Sequence, residues 1–121
     1  MLGGSLYQTY VIKEAVKMGY YVISCDYLPN NPGHRYAHEY YNISTTDKEA
    51  VYKLAKDIQV DGIVAYASDP AAPTAAYVCE KLGLPTSPYS SVEILSRKDL
   101  FRQYLSEHNF NVPNSFSCST Y

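Results

Sequence analysis

Tryptophan is absent from the 121-residue chain, cysteine occurs only three times, and 18% of the residues are charged. Cys25, Cys79 and Cys118 are odd in number, widely spaced and without a C-x-x-C pair. That pattern excludes a disulfide framework and a thiolate zinc site, and leaves them as reduced packing residues. Apolar runs such as Gly62-Ile63-Val64-Ala65 fall far short of the roughly 20 residues a membrane span needs, and no basic-then-apolar leader opens the chain. A cytoplasmic enzyme or module is expected, without a membrane partner. Lysine and arginine gather nowhere, the formal net charge is -2 and the pI is near 5.8, so the electrostatic footprint of a nucleic-acid binder is missing. Neither a Ser/His/Asp or Cys/His nucleophile pattern nor a pair of catalytic carboxylates is visible.

What is present is a globular composition, 46% hydrophobic, with 14 tyrosines as the main source of aromatic packing area. The length suits one hydrophobic core. Met1-Leu2-Gly3-Gly4-Ser5 reads as the end of a short or truncated strand entering a glycine turn. From Leu6 to Met18, the apolar positions Leu6, Tyr10, Val11, Ala15 and Met18 predict one helix face, stopped by Gly19. Tyr20 to Cys25 predicts a strand covered on both faces, and Tyr40 to Ile43 a weaker one. Thr46-Asp47 caps a helix over Lys48 to Ile58 with Ala50, Val51, Leu54 and Ile58 inward. Gly62 to Ala67 repeats the turn-into-buried-strand pattern. A helix over Ala75 to Leu82 closes on Gly83 with Pro85 beyond it. Ser90-Ser91-Val92-Glu93 resembles a cap, Lys98 to His108 is helical, and 112–121 is polar and mobile in expectation. Strands alternating with helices imply an α/β fold, a Rossmann-like open parallel sheet with helices on both faces.

In such sheets ligands bind beyond the carboxyl ends of the strands, which selects the loops 3–8, 26–35 and 68–74. Gly3, Gly4 and Ser5 bring backbone N–H groups and a helix N-terminus together, an arrangement suited to an anion. The loop is not G-x-G-x-x-G, and a purely structural tight turn is the alternative. Gln8, one turn into the helix, is either a ligand donor or a solvated residue. Asp26 ends a strand where a ribose-binding carboxylate sits in nucleotide folds. Ser68 and Asp69 face the same crevice, with capping of the next helix as the competing role. His34 and His38 are four apart in a Pro/Gly-rich loop without a third ligand, which argues against a metal.

Taken in order, Leu2-Gly3-Gly4-Ser5-x-x-Gln8, Asp26-x-x-Pro29-x-x-Pro32, Gly62-Ile63 to Ser68-Asp69, Leu82-Gly83-Leu84-Pro85 and Lys98-Asp99-Leu100-Phe101-Arg102-x-Tyr104-Leu105 form a series. That series resembles the N-terminal, pre-ATP-grasp domain of ATP-grasp ligases, the family of biotin carboxylase and the carbamoyl-phosphate synthase large subunit. The resemblance implies a Rossmann-like domain over 1–88 and a helical bridge over 89–121 toward an ATP-grasp domain. It implies that Gly3, Gly4, Ser5 and Gln8 contribute to binding a carboxylate or amine substrate. Lys98, with Arg97 beside it, matches the bridge position that reaches the nucleotide phosphates, a solvated lysine being the alternative. ATP and Mg²⁺ would serve an acyl-phosphate reaction in the full-length enzyme, the fragment alone being inactive and holding neither tightly. A second copy of the chain is an admissible partner. The competing reading is a non-catalytic nucleotide- or small-molecule-binding Rossmann-like module, and behind it a flavodoxin-like or receiver domain.

Overall fold

The computed structural model describes residues 1–116 and 118. Helix α1 (Leu6–Lys17) is followed by strand β1 (Ile23–Cys25), a 3₁₀ turn (Pro32–Tyr36) and strand β2 (Glu39–Tyr41). Helices α2 (Lys48–Asp57), α3 (Ala72–Leu82), α4 (Tyr89–Ser96) and α5 (Lys98–Glu107) complete the fold. β1 and β2 pair in parallel with Ile23 opposite Glu39. On the other side of β1, Leu2 bridges in parallel to both Cys25 and Ala65. The sheet therefore runs β2, β1, the Met1–Gly3 segment and the 64–65 segment, all parallel, which in chain order is third, second, first, fourth. That is the order of one half of a doubly wound α/β fold plus the first strand of the other half, with the reversal beside the first strand.

Helices cover both faces. Leu2 and Cys25 pack with Val51 and Ala55 of α2 and with Ala71, Ala75 and Val78 at α3. Ser24, pointing to the opposite face, meets His34 of the 3₁₀ turn, which packs against α1. Asp47 Oδ1 accepts from Ala50 N at 3.0 Å and so caps α2 as read from the sequence. Gly83 closes α3 at φ +69°, a conformation open to glycine.

Several boundaries and faces differ from expectation. α1 exposes Leu6 at 62% and Tyr10 at 70%, with Met18 also exposed, and buries Gln8, Thr9 and Ile12 instead. Its apolar periodicity was misleading because polar Gln8 is satisfied by non-local hydrogen bonds, as described below. The strand expected from Tyr20 starts only at Ile23, and Tyr20 and Tyr21 are exposed rather than covered. The strand expected over 62–67 is reduced to the bridge at Ala65, with Val64 and Tyr66 about half exposed. The second run stops where Ala67 takes φ +49°. α3 begins three residues before the expected start, since Pro73 is tolerated in a first turn. At α4 the expected Ser90-Ser91 cap lies inside the helix; Pro88 occupies the cap, and Tyr89 N donates to Glu80 Oε2 at 2.9 Å.

Some of the tyrosines acquire a role. Lys48 Nζ lies 4.6 Å from the Tyr89 ring centroid, Lys81 Nζ 4.5 Å from that of Tyr77 and 4.9 Å from that of Tyr52. Tyr77 and Tyr89 meet edge to face at 5.6 Å. Alternating cations and rings thus tie α2, α3 and α4 together. The hydroxyl of Tyr77 donates to Glu49, which holds that carboxylate below its ordinary pKa.

Cys25 and Cys79 are buried and Cys118 is exposed. Burial pushes the Cys25 thiol up to about 11 and raises that of Cys79 as well. Only a thiolate attacks electrophilic reagents. A maleimide at neutral pH is therefore expected to label Cys118 alone in the folded chain and all three cysteines after denaturation. Peptide mapping that found Cys25 modified in the native state would contradict its packing.

Candidate functional site

The loops selected from the sequence meet at the carboxyl edge of the sheet, and they are joined by hydrogen bonds. Gly3 N donates to Cys25 O at 2.8 Å, continuing the sheet ladder. Gly4 N donates to Asp26 Oδ2 at 3.0 Å, and Gly33 N donates back to Gly4 O at 2.7 Å. Asp26 Oδ2 also accepts from Asn31 Nδ2 at 2.8 Å, and its Oδ1 accepts from Leu28 N at 3.0 Å. The carboxylate is buried and accepts three hydrogen bonds from the chain's own donors. It clamps the glycine loop to the 26–31 loop.

Gln8 is 3% exposed and connects the first loop to the last. Its Oε1 accepts from Ser5 N at 3.0 Å and from the Ser5 hydroxyl, while its Nε2 donates to Tyr66 O at 2.6 Å. Ala67, just beyond, holds φ at +49°, a left-handed conformation costly for a residue with a Cβ. Ser68 and Asp69 follow. Ser68 O accepts from Ala71 N and Ala72 N to open α3, but no side-chain hydrogen bond from Ser68 or Asp69 caps that helix among the described residues. Asp69 is exposed and Ser68 partly so. Gly3, Gly4, Ser5, Gln8, Asp26 and the 66–69 loop are thus one connected cluster.

With Gly3 N, Gly4 N and Ser5 N engaged, the donors left for a ligand at the start of α1 are the N–H groups of Leu6 and Tyr7, which have no residue four back inside the helix to bond. A helix N-terminus of this kind favours an anionic group.

His34 is the participant least visible in the sequence. Nε2 lies 3.1 Å from Leu28 O, and Nδ1 lies 2.9 Å from Ser24 Oγ, which also donates to Glu39 O at 3.3 Å. The ring lies 4.0 Å from that of Tyr40, whose hydroxyl donates to Asp26 O. It presses on Gly4 so closely that a Cβ there would lie 2.1 Å from His34 Cε1. His38 is elsewhere, accepting from Val22 N at 3.0 Å and stacked on Tyr21. The two histidines share no ligand geometry.

Lys98 and Arg97 are not bonded to this cluster. Both are exposed at the start of α5, which packs mainly on α4. The Arg97 guanidinium pairs with Asp99 at 2.6 Å, an interaction that raises the pKa of the guanidinium and lowers that of the carboxyl. Lys98 has no ion-pair partner among the described residues.

A parallel sheet in this order, with a glycine loop fixed at its carboxyl edge, defines a Rossmann-like domain. Comparison with known proteins narrows the class. No family model matches the chain. It is 32% identical over 123 alignment positions to the formate-dependent phosphoribosylglycinamide formyltransferase of Rhodococcus jostii (strain RHA1), covering 78% of this chain and 30% of that protein. Its fold superposes on phosphoribosylglycinamide synthetase from Anaerococcus prevotii with a TM-score of 0.79 at 22% identity, covering 89% of this chain and 28% of the other. N5-carboxyaminoimidazole synthetase from Staphylococcus aureus, solved with ADP, gives a TM-score of 0.68 at 25% identity over 89% of this chain and 29% of that one. By sequence and by fold the chain resembles the pre-ATP-grasp N-terminal domain of ATP-grasp enzymes. It spans about 30% of the length of the curated relative. No helix among the described residues is long and apolar enough to cross a membrane.

Proposed function

We propose that the chain is the substrate-side, N-terminal domain of an ATP-dependent carboxylate–amine ligase that works through an acyl-phosphate, inactive until a downstream ATP-grasp domain completes the cleft. The observation that carries this reading is the connected cluster at the carboxyl edge of the sheet, in a chain whose relatives extend well beyond it. In this reading the start of α1, Ser5, Ser68 and Asp69 form the wall facing a small carboxylate or amine substrate. Gly3, Gly4, Gln8 and Asp26 act at one remove, fixing that wall in place. The N–H groups of Leu6 and Tyr7 would meet a carboxylate or phosphate oxygen and hold its charge without a side-chain cation.

ATP supplies the phosphoryl group, and stabilising its developing charge is the main task in such transfers. Lys98, exposed at the start of α5 and without an ion-pair partner among the described residues, fits a phosphate contact; Arg97 fits less well because Asp99 holds its guanidinium. No group of three or more His, Cys, Asp or Glu side chains among the described residues is placed to hold a metal ion. Mg²⁺ would therefore depend on downstream carboxylates. The boundary between 1–88 and the 89–121 bridge is proposed on the same footing, with Tyr89 as the contact that seats the bridge on α3.

Calorimetric titration of the chain with ATP and Mg²⁺ separates this reading from a nucleotide-sensing module. A half-site is expected to give no measurable heat at millimolar nucleotide, and a longer form carrying an ATP-grasp region is expected to release ADP only when both carboxylate and amine are supplied. Micromolar affinity of the isolated chain for ATP would overturn the half-site and favour the sensor.

A further inference from the structure

Among the described residues three that carry a Cβ hold positive φ: Gln59 at +52°, Ala67 at +49° and Asn109 at +61°. Gln59 and Asn109 each stand one residue past a helix C-cap, Ile58 after α2 and His108 after α5, where a left-handed residue is a common way to end a helix. Ala67 follows no helix. Alanine has neither glycine's freedom from a Cβ nor the local hydrogen bonding with which asparagine tolerates this conformation, so a contact from outside residue 67 must hold it. The Gln8 amide makes that contact. Its Nε2 donates to Tyr66 O at 2.6 Å and lies 3.5 Å from Ala67 O, and no other donor among the described residues reaches either carbonyl. The amide cannot follow the loop, because its Oε1 accepts from Ser5 N and the Ser5 hydroxyl. Gly3 closes on it as well, since a Cβ there would lie 3.2 Å from Gln8 Cδ.

We propose that the 66–69 loop is a strained element with two positions, latched by Gln8. With Nε2 bonded to Tyr66 O, Ala67 is held left-handed and Ser68 and Asp69 stand with the start of α1. With that bond broken, Ala67 relaxes to negative φ and carries both residues away. The chain around the loop confines the change. Ala65 is bridged to Leu2 on one side, and Ala71 is fully buried on the other, while the ring of Pro70 fixes its own φ. A rotation at Ala67 is therefore absorbed within 66–69, the stretch that bears Ser68 and Asp69. A ligand that bonds either residue in the latched position favours that position, and a ligand that touches neither does not, because only differential contact shifts such an equilibrium. This consequence rests on the reading of the wall given above, whereas the latch itself does not.

Gln8→Glu separates the latch from the helix cap. Glutamate accepts from Ser5 as glutamine does and suits the third position of a helix, but at neutral pH it has no proton to donate to Tyr66 O. Ala67→Gly is the probe of strain. In the parent chain it is expected to lower the unfolding constant about fivefold, since glycine adopts positive φ freely. In the Gln8→Glu background, where the alanine has already relaxed, the same change is expected to raise that constant about threefold, through the greater freedom of glycine in the unfolded chain. The Overhauser effect between the Ala67 amide proton and its own Hα reports the conformation, because the two bonds are nearly eclipsed at φ +49°. It is expected to fall to about a quarter in Gln8→Glu as Ala67 leaves the left-handed region. Gln8→Met, which buries no charge, repeats both measurements should the carboxylate unfold the chain. An equal gain from Ala67→Gly in the parent and in the Gln8 variants would show that Gln8 does not hold the strain. An Overhauser effect that stays strong in both variants would show that the loop has one position only, and either result overturns the proposal. Neither measurement uses nucleotide or substrate, so a failed latch leaves the ligase reading standing, and a failed ligase reading leaves the latch.

Discussion

Gly4→Ala is expected to lower the unfolding free energy by about 3 kcal/mol, at the top of the usual range for overpacking a filled interior. A methyl group there would lie 2.1 Å from His34 Cε1 and 2.5 Å from Nδ1, and the imidazole is held on three sides. Ser24 Oγ and Leu28 O fix its two nitrogens, and the Tyr40 ring lies against its face. The ring therefore leaves only by breaking both hydrogen bonds, or else the glycine loop moves and loses the bond from Gly4 N to Asp26. Gly62→Ala is the control, because nothing lies within 4 Å of the methyl it would add, and it should be close to neutral. The mechanism is isolated by a double-mutant cycle. In a His34→Ala background the space beside Gly4 is open, and Gly4→Ala is expected to cost about 1 kcal/mol or less. Urea unfolding of the four chains measures this. Were Gly4→Ala as harmless as Gly62→Ala, or its cost unchanged by His34→Ala, the tight contact would not be the cause.

The parts of this architecture that were legible in the sequence are those decided by neighbours a few residues away. Asp47 caps α2 by reaching Ala50, Gly83 stops α3 by adopting positive φ, and α5 follows its own apolar spacing. The alternation of helices and short strands carried the parallel sheet, and with it the rule that places a site at the carboxyl edge. What escaped was decided across the chain. The buried face of α1 turned on Gln8, whose partner Tyr66 O lies 58 residues away. A polar residue at 3% exposure is invisible to hydrophobic periodicity, yet here it is better satisfied inside than an apolar one would be. In the sequence His34 stands out only as a candidate metal ligand, whereas it packs on Gly4, 30 residues earlier in a chain whose order gives no hint of the contact. The positive φ of Ala67 had no sequence signal, since alanine is not a residue that favours it.

Asp26→Ala is the second large effect, expected at about 3 kcal/mol, and it tests whether this carboxylate belongs to the chain or to a ligand. Asp26 is 7% exposed and accepts three hydrogen bonds, from Gly4 N, Leu28 N and Asn31 Nδ2. Removing it strands the Gly4 donor in the buried turn, at about 1–3 kcal/mol for such a group. Leu28 is exposed and Asn31 partly so, and both can turn to water at smaller cost. Asp26→Asn keeps the shape but places an amide NH₂ where one oxygen accepted, so about half the loss is expected, with one of the two loop contacts surviving. Amide exchange locates the effect. Gly4 N–H should exchange much faster in both variants, while the amides of α2 and α3, which pack on the other face of the sheet, should change only as far as global stability does. If Asp26 were instead held for a ligand, its loss would leave Gly4 exchange and the unfolding midpoint near those of the parent and weaken substrate binding alone. A clamp predicts the reverse order of events: the loop loosens first, and any loss of substrate affinity in a longer, active form follows from a wall no longer held in place.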